Sequence, residues 1–151
     1  MDPDRVEDES PAIVAVREMF AADRASQGLG IEIIDLAVGH ATASMTVTAD
    51  MLNGHGTCHG GYIFLLADTA LSLACNSYGQ VTVAAQAEVT FVAPVGEGDR
   101  LDAVARERTR FGRRGIFDVV VRRHEDDDVV AEFRGHSYAT PHRLGHARRL
   151  P

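Results

Sequence analysis

The chain has 151 residues, 45% of them hydrophobic and 25% charged, a mix that fits one soluble globular core. Its net charge is −7, and all 15 basic residues are Arg, which excludes any mechanism built on a Schiff-base or phosphate-binding lysine. The arginines are scattered along the sequence, so the charge pattern gives no reason to expect nucleic acid as a partner.

Residues 1–9 read as a disordered acidic tail, opposite in charge to the start of a signal peptide. Ser10-Pro11 is a helix start, with Ser as N-cap and Pro at the first helical position. Ile13, Val14, Val16, Met19 and Phe20 predict a short amphipathic helix that ends near Ser26, where Gly28 and Gly30 break it. Two strands follow, 30–38 and 41–48, as a hairpin about Gly39-His40. In the second, Ala43, Met45 and Val47 alternate with Ser44, Thr46 and Thr48.

A polar, Gly-rich loop over residues 50–58 opens through His59-Gly60-Gly61 into a run that is apolar on nearly every face as far as Asn76. That run predicts a buried helix closed by Gly79, and it is too short to span a bilayer. In such a helix Cys58 and Cys75 lie roughly 25 Å apart, beyond disulfide reach. The absence of a disulfide framework points to a reducing, cytoplasmic setting. Four strands, 81–93, 100–110, 115–124 and 129–140, complete a domain spanning 10–140, and residues 141–151 read as a flexible basic tail. The resulting fold class is α+β, with one antiparallel sheet wrapped around a long central helix that must be covered on all sides.

Asp68 is the strongest chemical clue. A carboxylate within an apolar helix loses hydration, which raises its pKa toward the range useful for catalysis; the plainer alternative is an Asp that caps a loop or pairs with a buried Arg. His59-Gly60-Gly61 is the second clue. Free N–H groups at a helix start, with glycines that admit a ligand, suit an oxyanion, although a Gly-Gly pair also serves a tight turn. Asp68 lies ~12 Å along the helix from Gly60, too far for one chain to use both on one carbonyl. Two such helices packed antiparallel would bring one chain's Asp68 beside the other's Gly60, giving two shared sites per dimer.

Asn53 is placed to orient water or a carbonyl oxygen; His59 could serve as a general base, but ordering the loop is preferred because one base is enough for hydrolysis. A metal site from His55, Cys58 and His59 lacks converging ligands elsewhere, and His142 and His146 fall in the tail, so no metal or cofactor is expected. Cys58 as nucleophile lacks a third member and ranks below Asp68. Arg113, Arg114, Arg122, Arg123 and Arg134 are candidates for substrate phosphates, against the more usual solvated strand face.

The run from Leu52 to Gly79, with its Leu-Asn-Gly-His element and its Leu-Ala-Asp-Thr element, resembles the phenylacetate-degradation (PaaI-type) thioesterases, and Phe91-Val-Ala-Pro94 and Ala131-Glu-Phe-Arg-Gly135 extend the likeness over residues 13–140. The resemblance implies a hotdog fold and hydrolysis of acyl-CoA, phenylacetyl-CoA or its ring-hydroxylated forms included. It puts the catalytic carboxylate on Asp68, the oxyanion N–H on Gly60 and supporting roles on Asn53 and His59. Gly61, Phe64 and Thr69 are expected at the substrate. It also implies a homo-oligomer, a tetramer built as a dimer of hotdog dimers, without membrane association. Where related enzymes carry Ser or Thr in the strand after the helix, this chain reads Val83-Ala-Ala-Gln86, with Thr82 adjacent. Two rivals are an acyl-CoA hydratase or dehydratase using His59 with Asp68, and a non-catalytic acyl-CoA-binding protein of the same fold.

Overall fold

The structure, a computed structural model, describes residues 9–145. Most of the expected acidic tail, and residues 146–151 of the expected basic one, including His146, lie outside them.

Ser10 caps α1 (Pro11–Ala21), accepting from the Ile13 N–H at 3.3 Å. The helix does not run on to Ser26 as expected. Asp23 accepts from the Ser26 N–H at 3.0 Å and so starts a second helix, α2 (Arg24–Gly28). Strands β1 (Glu32–Ala37) and β2 (His40–Thr46) form the expected hairpin, and Gly39 turns it at φ +72°. After the polar loop comes α3 (Gly60–Asn76), followed by β3 (Gln80–Phe91), β4 (Arg100–Phe111), β5 (Arg114–Arg123) and β6 (Val129–Arg143). β6 continues three residues past its expected end at Thr140, into the stretch read as tail. Its extension is paired, with Arg143 opposite Gln80 and the Leu144 N–H on the Gly79 carbonyl at 2.8 Å.

The six strands form one antiparallel sheet in the order β1-β2-β4-β5-β6-β3. α3 lies across it and touches every strand. The inward rows alternate alanines with larger apolar residues: Ala41, Ala43 and Met45 on β2, Leu101, Ala103 and Ala105 on β4, Phe117, Val119 and Val121 on β5. They pack on Leu66, Ala67, Ala70, Leu71, Leu73 and Ala74 of α3, all buried. No helix among the described residues is long and apolar enough to cross a membrane.

α3 packs tightly on β6 at Gly135, where an added Cβ would overlap the buried Leu71 side chain. Replacing Gly135 by Val is expected to destabilise the fold by about 1–3 kcal/mol, the usual cost of overpacking a core. Thermal melts of the variant and wild type check this, and an unchanged melting temperature would show that the helix can move aside.

Candidate active site

The start of α3 is held from both sides. The Cys58 N–H bonds the Val95 carbonyl and the His59 N–H the Met51 carbonyl, each at 2.8 Å. His59 is the N-cap, its Nδ1 accepting from the Gly61 N–H at 2.9 Å. Its imidazole is thereby committed to ordering the helix start. Gly61 spends its amide on this cap, whereas no acceptor among the described residues takes the Gly60 N–H, which sits at the positive end of the helix dipole.

Asn53 ties the loop together. Its Oδ1 accepts from the His55 N–H at 2.9 Å and the Thr57 N–H at 3.2 Å, so its oxygen is occupied and only the amide nitrogen is left for a ligand beyond its 3.2 Å contact to the Thr57 hydroxyl. Asn53, Thr57, Gly60, Ile63, Phe91 and Pro94 line an open cleft of about 380 Å³. The Phe91 ring stands so close over Gly60 that an added Cβ would lie 2.7 Å from it. Any larger residue there requires the half-exposed Phe91 ring to shift.

Asp68 lies two helical turns further on, and the structure does not join it to Gly60 within one chain. It belongs to a strip with Gly61, Phe64, Leu65 and Ser72 that stays partly open to solvent, while Ile63, Leu66, Ala67, Ala70 and Leu71 around it are buried. Phe64 leans from the strip onto Phe133, edge to face, with ring centroids 5.2 Å apart. The Asp68 carboxyl has no hydrogen bond or ion pair among the described residues. Its pKa is pushed up by burial first and then by the negative charge of Asp23. The alternative of an Asp satisfied by a loop or a buried Arg is therefore not what the fold contains.

Thr69, expected at the substrate, turns inward instead and is 7% exposed. Its hydroxyl is 2.9 Å from the Ser26 Oγ, and Ser26 donates to the Asp23 carboxylate at 2.6 Å, which makes Thr69 the donor in the first link. This chain of hydroxyls anchors the turn of α3 that carries Asp68 to the start of α2. Thr82, the hydroxyl nearest the position where related enzymes have one, is also buried: its N–H bonds Asn76 and its hydroxyl the Gln80 carbonyl.

A profile of the Thioesterase superfamily matches residues 55–130. The chain is 43% identical to the acyl-coenzyme A thioesterase PaaI of Escherichia coli K12, over 84% of this chain and 87% of that protein. The chain belongs to the thioesterase superfamily. It superposes on the solved structure of the E. coli PaaI protein with a TM-score of 0.84 at 40% identity, covering 87% of this chain and 95% of that one. It also superposes on a Streptococcus mutans UA159 protein solved bound to acetyl-CoA, with a TM-score of 0.71 at 26% identity over 75% and 90% of the two chains.

In this thioesterase the other candidate groups drop away. The Cys58 thiol is buried, its pKa pushed up by burial, and it donates to the His59 carbonyl at 3.6 Å, so it is not a thiolate nucleophile. Cys75 is pushed up to about 12 by burial and by the charge of Asp68. No three His, Cys, Asp or Glu side chains converge among the described residues, so His55, Cys58 and His59 do not make a metal centre. Phe91 and Pro94 as cleft walls, and Asp23 and Ser26 behind Asp68, escaped the sequence reading. The first pair lies in the Phe91-Val-Ala-Pro94 motif; the second has no local signal, being more than forty residues from Asp68.

Two outcomes follow from the charge environment of Asp68. Asp23→Asn keeps the helix cap but removes the negative charge, so the Asp68 pKa falls and the acid limb of the pH–kcat/KM profile moves to lower pH. An unmoved limb would show that the two carboxylates are not coupled. Because the folded-state pKa of Asp68 is raised, its stabilising contribution is present at low pH and lost as pH rises through that pKa. Asp68→Asn is therefore expected to melt higher than wild type at neutral pH, with the gap closing below about pH 4.

Proposed function

We propose that this thioesterase hydrolyses acyl-CoA to the free acid and coenzyme A, at two sites shared across a dimer in which the α3 helices pack antiparallel. The observation that carries the reading is the separation of the two reactive groups on one rigid helix. An amide without a partner sits at its start, a carboxylate without a cation sits near its middle, and ~12 Å lies between them. A second copy supplies what one chain lacks. The partly open strip of Gly61, Phe64, Leu65 and Asp68 offers the helix contact, and β3 is an edge strand whose residues 83–86 are exposed. The names of the relatives support the substrate class, one being called an acyl-coenzyme A thioesterase and another having been solved with acetyl-CoA.

In the reaction the thioester carbonyl accepts a hydrogen bond from the Gly60 N–H, which stabilises the oxyanion as it forms. The partner subunit's Asp68 takes a proton from a water molecule that attacks the carbonyl carbon, and the C–S bond then breaks. The proton passes to the departing thiolate, which leaves as the coenzyme A thiol. Phenylacetyl-CoA and its hydroxylated forms are the proposed acyl substrates, on the strength of the PaaI resemblance. The proposed assembly is a tetramer of two such dimers, and two buried, unpaired cysteines suit a cytoplasmic setting.

Free-thiol release from a panel of acyl-CoAs, phenylacetyl-CoA included, tests the reading with wild type and Asp68→Asn side by side. Fast release by the wild type and a loss of roughly 10²–10⁴-fold in the folded variant are expected. Binding of acyl-CoA without release would instead assign a binding protein, and water addition to enoyl-CoA a hydratase. A fully active monomer in sedimentation would remove the shared site.

A further inference from the structure

The loop that leads into α3 is a closed turn, and it fixes the backbone of Thr57 on both sides. The Asn53 N–H bonds the Thr57 carbonyl at 2.8 Å, and the Gly56 N–H bonds the Asn53 carbonyl at 3.1 Å, with Gly56 at φ +77°. The Thr57 N–H is held by the Asn53 Oδ1 at 3.2 Å, and the flanking residues Leu52 and Cys58 form a bridge. The Thr57 side chain therefore starts from a set position. It is half-buried and lines the cleft together with Asn53 and Gly60.

An account of its hydroxyl leaves one proton over. Thr57 Oγ1 accepts from the Asn53 Nδ2 at 3.2 Å. Among the described residues the one acceptor within its own reach is the Asn53 Oδ1 at 3.4 Å. That is far longer than the roughly 2.8 Å of a well-made O–H···O bond. The same oxygen already holds the His55 and Thr57 N–H groups. The Cys58 thiol beside it is turned to the His59 carbonyl, and the Phe91, Ile63 and Pro94 walls bring no side-chain acceptor. The hydroxyl proton is thus left for a ligand in the cleft. The bond it accepts from Asn53 polarises it and makes it a stronger donor. What suits such a proton, next to the unpartnered Gly60 N–H, is an oxygen that only accepts and that gains negative charge.

We propose that the Thr57 hydroxyl is a second donor to the thioester carbonyl oxygen, acting beside the Gly60 N–H, and that Asn53 aims it by donating to its Oγ1. The inference rests on the acyl-CoA hydrolysis proposed above and adds a catalytic residue to it. Thr57 and Gly60 belong to one subunit, facing the partner subunit's Asp68. The Thr57 proton stays on its oxygen throughout; it shares in the charge of the tetrahedral intermediate and is not transferred.

Thr57→Val keeps the shape of the side chain and both backbone bonds to Asn53, and loses the hydroxyl. Its kcat for acyl-CoA hydrolysis is expected to fall about 10²-fold with KM little changed, because the bond strengthens as the oxyanion forms. Thr57→Ser retains the donor and should keep most of the wild-type rate. A second readout needs no turnover: the carbonyl stretch of an isotope-labelled ketone analogue of the acyl-CoA, with CH2 in place of sulfur, bound to each protein. A donor to the carbonyl lowers that frequency, so it should lie lower on wild type and Thr57→Ser than on Thr57→Val. An unchanged kcat in Thr57→Val overturns the proposal. So does a Ser variant as slow as the Val one, or a slow Val variant with the stretch unmoved, which would make Thr57 a loop residue only. If Thr57→Val does not fold, Thr57→Ala removes the same hydroxyl and takes its place. A folded wild type that neither cleaves acyl-CoA nor binds the analogue removes the hydrolase reading itself, whereas a wild type that does both while the Val variant matches it removes only the role of Thr57.

Discussion

An α-helix that is apolar on nearly every face must be covered on nearly every face, and much of this structure answers that requirement for α3. A single sheet can do most of it only by crossing the helix with all six strands, which is why its inner rows are rich in alanine and why β6 carries Gly135 under Leu71. The sheet covers the helix incompletely. What it leaves is the strip through Gly61, Phe64, Leu65, Asp68 and Ser72, and the half-buried Asp68 carboxylate, with no partner among the described residues, lies there. Burial and the like charge of Asp23 both disfavour the ionised form of Asp68, and a purely structural design would not choose either. That stability is given up at this position, with the Thr69–Ser26–Asp23 hydroxyl chain built behind it, supports the role proposed for Asp68.

The helix also divides the labour of the proposed reaction. Its start offers an N–H with the dipole behind it; its middle offers a base. Rigidity keeps the two apart, so the distance that prevents one chain from acting alone also fixes the geometry when a second chain arrives. His59 takes part by capping, since its Nδ1 holds the Gly61 N–H and leaves the Gly60 N–H as the amide available to a ligand. Phe91 then stands over Gly60 as a wall of the cleft, and a larger residue at 60 would have to displace its ring.

Local patterns in the sequence were read correctly where the cause is local. Period-two alternation located β2, turn segments bounded the later strands, the unbroken apolar run located α3, and Ser10-Pro11 located the start of α1. The errors came where a long-range partner decides. The first helix splits because Asp23 recaps the chain, and β6 runs on to Arg143 because β3 begins early enough to pair it. Thr69 was expected at the substrate, and the structure turns it inward: the next residue on a helix points about 100° away from Asp68, and here that direction leads to Ser26. The bulge between Glu107 and Thr109 was not legible at all. Alternation alone places Arg106, Arg108 and Arg110 on one face, and only pairing with β5 reveals that the third has crossed to the other.

The shared site also bears on how substrate would be selected. In the proposed dimer the base comes from the middle of one helix, and the oxyanion N–H with the cleft beside it from the start of the other. The Phe91, Ile63 and Pro94 walls of that cleft would then stand on the subunit opposite the base. In this reading the walls can change to suit a different acyl group without disturbing the carboxylate that activates water, which is how one framework can serve thioesters with unlike acyl groups.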